Sequence, residues 1–131
     1  MRVLFLFLDG IGLGEDDPQV NPFSAVEMPA LQHLLAGKRM LVKNAPFEGQ
    51  RASLFKLDAC LGTPGLPQSA TGQAALLTGV NVPAELGYHY GPKPNPDVAE
   101  FIKRGNLFSS IKMGGKQAAF LNAYPPSYFQ A

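Results

Sequence analysis

Cysteine occurs once in the 131 residues, tryptophan not at all and histidine twice. A lone thiol, Cys60, cannot close an internal disulfide, so the chain is not a stapled miniature fold, and a cytoplasmic setting is expected. Charge is sparse and balanced, with 11 Lys and Arg against 10 Asp and Glu. Recognition of nucleic acid or an anionic membrane needs clustered positive charge, and neither partner is expected. Long apolar runs are missing too. The longest, Val3 to Leu8, is six residues closed by Asp9, far short of the roughly 20 that span a bilayer. It also falls below the usual secretory h-region of about 7 to 15 residues, and no small-x-small cleavage pattern follows. A chain of this length, 46% apolar, makes one globular domain or part of a larger one.

Glycine and proline are plentiful, 14 and 12 respectively, and they punctuate the chain into elements. Val3 to Leu8 shows no period-2 alternation and leaves through glycine, the pattern of a strand buried on both faces. Pro29 to Ala36 is expected as a short helix with Pro at its first position and Gly37 beyond its end, burying Leu31, Leu34 and Leu35. Ala52 to Asp58 alternates as a second strand centred on Leu54 to Leu57. After the loop Gly62 to Pro67, a helix over Ser69 to Thr78 places Ala70, Ala74 and Leu77 on one face and closes at Gly79. Pro83 to Pro96 reads as a long loop. Asp97 is the expected cap of a helix Val98 to Arg104, and Asn106 caps a further turn or two to Met113. Gln117 to Asn122 is a third strand, with a new element starting at Tyr124. The alternation of strand and helix predicts an α/β fold, a mainly parallel sheet flanked by helices, with ligands beyond the carboxyl ends of the strands.

Two segments at such ends suggest chemistry. In Leu8-Asp9-Gly10-Ile11-Gly12 a carboxylate ends a buried strand, and the glycines after it leave room for an ion or a phosphate. That suits a metal-binding Asp9; a hairpin or capping role is the plainer alternative, although no partner strand follows directly. A dinucleotide fingerprint does not fit, because Glu15 stands in the third glycine's place. In Gly65-Leu-Pro-Gln-Ser69-Ala-Thr71-Gly72-Gln73 a hydroxyl opens a helix, where the dipole and unpaired N–H groups favour an alkoxide or a bound phosphate. An ordinary helix cap explains Ser69 as well, except that a capping box wants Glu or Gln where Gly72 stands. His89, in the long loop, and Asn21, before Pro22, are weaker candidates for lining a substrate site. His33 is expected as a surface-edge or satisfied core histidine, and Cys60 belongs to the core.

Together Phe7-Leu-Asp9-Gly10-Ile-Gly12-Leu-Gly14, Asn21-Pro-Phe23 and Gly65-Leu-Pro-Gln-Ser69-Ala-Thr-Gly72-Gln-Ala-Ala-Leu-Leu-Thr78-Gly79 resemble the N-terminal part of the alkaline phosphatase superfamily of metalloenzymes. The nearest branch is the one containing cofactor-independent phosphoglycerate mutases and phosphopentomutases. The resemblance implies that Asp9 and Ser69 ligate one divalent metal (Mn, Zn or Mg), one of two in a complete site. It also implies that Ser69, with Thr71 as the fallback, becomes phosphorylated while a small phosphorylated metabolite is isomerised or hydrolysed. Two features depart from the pattern: Gln73 stands where the mutases commonly have His, and the family's later Asp and His ligands have no counterpart here. The expectation is therefore an N-terminal, truncated portion of a phosphomutase or phosphatase, itself nearly inactive. The rival is a non-catalytic α/β binding or assembly module prone to self-association through exposed edges.

Overall fold

Proline at the first or second position opens four of the helices, where its fixed φ suits the helix and its missing N–H costs nothing. The computed structural model describes residues 2–122, and their contacts separate two units, Met1–Asp58 and Ala59–Ala131. The expected element from Tyr124 onward lies outside the described residues.

The first unit holds α1 (Pro22–Ala25), α2 (Pro29–Leu34), a 3-10 turn (Val42–Asn44) and two short strands, β1 (Phe47–Glu48) and β2 (Ser53–Leu54). Its buried apolar anchors are Leu35 and Leu41. An ion network braces it. Arg39 pairs with Glu27 and donates to the Ser24 carbonyl at 2.7 Å, while Lys43 pairs with Asp16, whose other oxygen accepts from the Ser24 hydroxyl at 2.5 Å. The Lys43 and Ser24 hydrogen bonds hold the Asp16 carboxyl below its ordinary pKa, and bonds from Gln32 and Arg39 do the same for Glu27.

Among the described residues the regular structure of the second unit is all helical: α3 (Ser69–Thr78), α4 (Val82–Leu86), α5 (Pro96–Arg104) and α6 (Leu107–Met113). Small residues on α3 let its neighbours approach closely. Ala70 and Ala74 meet Val82 of α4 and Val98 of α5, and Leu86, Phe101 and Ile102 close over them. Val82 and Val98 are wholly buried, and each such valine stabilises by about 1.5–3 kcal/mol. Gly79 ends α3 at φ +72°, a left-handed conformation that a side chain would strain. Asn106 opens α6 with a reciprocal capping box to Ser109.

The expected parallel α/β sheet is not formed. The described residues are 36% helix and 5% strand, which makes this a mostly helical chain. Ala52–Asp58 supplies only β2, which pairs antiparallel with β1, Phe47 opposite Leu54. The sole parallel contact among the described residues is an isolated bridge between Gly14 and Leu41. Val3–Leu8 and Gln117–Asn122 have no strand partner there. The cause is the non-local nature of sheets: a strand apolar on both faces gains stability only when neighbouring strands and covering layers are present. Without them nothing offsets its conformational entropy. No helix among the described residues is long and apolar enough to cross a membrane.

Helix limits differ from the expected ones in smaller ways. The cap of α5 is Asn95, accepting from the Val98 N–H at 3.0 Å, with Pro96 first in the helix and Asp97 within its first turn. The span expected as a loop from Pro83 contains most of α4, capped by Asn81. Leu34, assigned to the buried face of α2, is exposed; Leu35 carries that burial.

Candidate functional site

Asp9 and Ser69 belong to different units, and each site is built from its own unit. Asp9 lies exposed in a turn continued by Gly10 at φ +72°. Asn21 is buried and structural in its contacts: its side-chain oxygen accepts from the Phe23 N–H at 3.1 Å, capping α1, and its Nδ2 donates to the Glu15 carbonyl at 2.6 Å. These two bonds join the Gly-rich loop to the first helix.

Ser69 is the first residue of α3, half-buried, and the cap position before it belongs to Gln68, which makes no side-chain capping bond. The ordinary-cap alternative for Ser69 is thus displaced by one residue. Thr71 is fully buried. Its Oγ1 accepts from the Tyr90 N–H at 3.2 Å and shares its one proton between the carbonyls of Gln68 and Tyr90, both at 3.3 Å, while its own N–H donates to the Tyr90 carbonyl at 3.0 Å. The hydroxyl is therefore a clamp between α3 and the Tyr88–Pro92 loop.

Close approach tightens that clamp. A Cβ on Gly91 would lie 3.0 Å from the Ser69 nitrogen and 3.1 Å from Gln68 Cβ, so glycine lets the loop reach the start of α3 without pushing its neighbours aside. His89 extends the connection. Its Nε2 is 3.1 Å from the Thr63 carbonyl, a contact made by the tautomer carrying hydrogen on Nε2. His89 thereby ties the loop after Cys60 to the loop after α4.

A pair of divalent cations needs many oxygen or nitrogen ligands around two centres a few ångströms apart. No group of three or more His, Cys, Asp or Glu side chains placed to hold a metal occurs among the described residues.

No family model, curated protein or solved structure matches the chain. The resemblance to the alkaline phosphatase superfamily is overturned by the architecture, because a sheet-rich, mainly parallel core is what places that family's ligands. The described residues form a two-stranded antiparallel sheet and a set of helices instead. The phosphomutase or phosphatase activity, its phosphoserine intermediate and the enzyme assignment fall with the fold.

What the residue-by-residue reading missed is an exposed surface. The six side chains of Val3–Leu8 are between 42% and 82% exposed. Their apolar continuity was legible in the sequence, but it pointed to burial. Nothing local distinguishes a strand already covered by its own fold from one still open.

Proposed function

We propose that the chain is a non-catalytic binding and assembly module whose docking element is Val3–Leu8. The observation supporting this reading is the exposure of an uninterrupted apolar, strand-forming run with no strand partner among the described residues. Both of its faces are apolar, which suits an interior strand covered by a layer on each side. The partner is a protein that offers an open sheet edge flanked by apolar surface: main-chain bonds supply affinity, and pockets for alternate side chains supply specificity.

Magnitudes favour full coverage over simple edge pairing. Six cross-strand pairs at about 0.2–1 kcal/mol each fall short of, or barely reach, the roughly 4–15 kcal/mol that association costs. At about 200 Å² per fully exposed side chain of this size, the run exposes roughly 750 Å². Covering all of it is worth an upper limit of about 19 kcal/mol at 25 cal/mol per Å². Only a partner that covers the faces as well as the edge binds stably. A cytoplasmic location is part of this reading, supported by the lone thiol Cys60.

With no other protein present, copies of the chain are the sole apolar surface on offer. The purified protein is therefore expected to self-associate. Sedimentation velocity across a dilution series should give a mass above the 14.0 kDa of one chain at high concentration. The Leu4→Lys/Leu6→Lys variant should sediment as a monomer with unchanged helical circular dichroism. A variant that associates as readily as the wild type overturns the assignment of docking to Val3–Leu8, and a wild-type chain that stays monomeric throughout overturns the expected self-association.

A further inference from the structure

We draw no further inference here: the strongest candidate, the open groove of the second unit between the end of α3 and helices α5 and α6, is lined by Leu76, Val80, Phe101 and Leu107 beside Arg104, and nothing in the structure shows what covers it.

Discussion

Replacing Thr71 by valine removes one hydroxyl while keeping the shape of the side chain. In the native chain that hydroxyl accepts from the Tyr90 N–H and donates to a carbonyl of Gln68 or Tyr90. Valine leaves the N–H without its acceptor and places a methyl group against two carbonyl oxygens. An unsatisfied buried polar group costs about 1–3 kcal/mol. Thr71 itself is wholly buried, but Tyr90 is 38% exposed, so water reaches part of the vacated bond, and the expected loss is about 1–2 kcal/mol. With a urea slope of about 2 kcal/mol per molar, the middle of the usual range, the unfolding midpoint followed by circular dichroism should fall by roughly 0.5–1 M. Amide exchange separates the clamp from simple packing. Thr71→Val should speed exchange at Tyr90, whereas Thr71→Ser, which keeps the hydroxyl and loses a methyl, should leave that amide protected. A valine variant with an unchanged midpoint and unchanged Tyr90 exchange would refute the reasoning.

Gly91→Ala tests the same junction from the loop side: the new Cβ meets backbone at the start of α3, and calorimetry should show about 1–3 kcal/mol of destabilisation, as for other overpacked contacts. Asn21→Ala removes the α1 cap and the bond to the Glu15 carbonyl. It should cost about 1–2 kcal/mol in chemical unfolding, and a neutral result would mean that the loop does not depend on this side chain. The ion network of the first unit carries a pH signature. Because the folded-state pKa of Asp16 is lowered, its contribution is complete above the ordinary carboxylate pKa of about 4 and disappears as pH falls through the depressed value. Wild type should therefore unfold at a higher temperature than Asp16→Asn at neutral pH, with the gap closing in acid; a gap independent of pH contradicts the assignment.

The helices were legible where their limits are set by neighbours in the chain. Ser69 to Thr78 with Gly79 behind it, the Asn106 cap of α6 and the Pro29 opening of α2 match the structure, while α2 ends at Leu34, two residues before the expected Ala36. Caps, proline and left-handed glycine act within one turn, so they are written locally. The same chemistry makes α4 readable after the fact, from Asn81, Pro83 and Gly87. For α5 the expected cap Asp97 gives way to Asn95, because Pro96, with its fixed φ, is the first helical residue.

Strands and sites followed another rule. Val3 to Leu8 determines by itself only that an apolar, strand-forming segment exists; whether it is buried depends on surfaces remote in sequence. Tertiary structure also decided what the candidate polar residues do. Thr71 and Asn21 are candidates by their side-chain chemistry, and folding engages both in internal bonds, one to the Tyr88–Pro92 loop and one across the glycine-rich loop. Sequence alone determined where α3 and α6 start and stop, because backbone bonds and caps within a turn close that account. Which hydroxyls become clamps and which apolar run stays open was decided only by distant contacts, since burial is a property of the assembled surfaces.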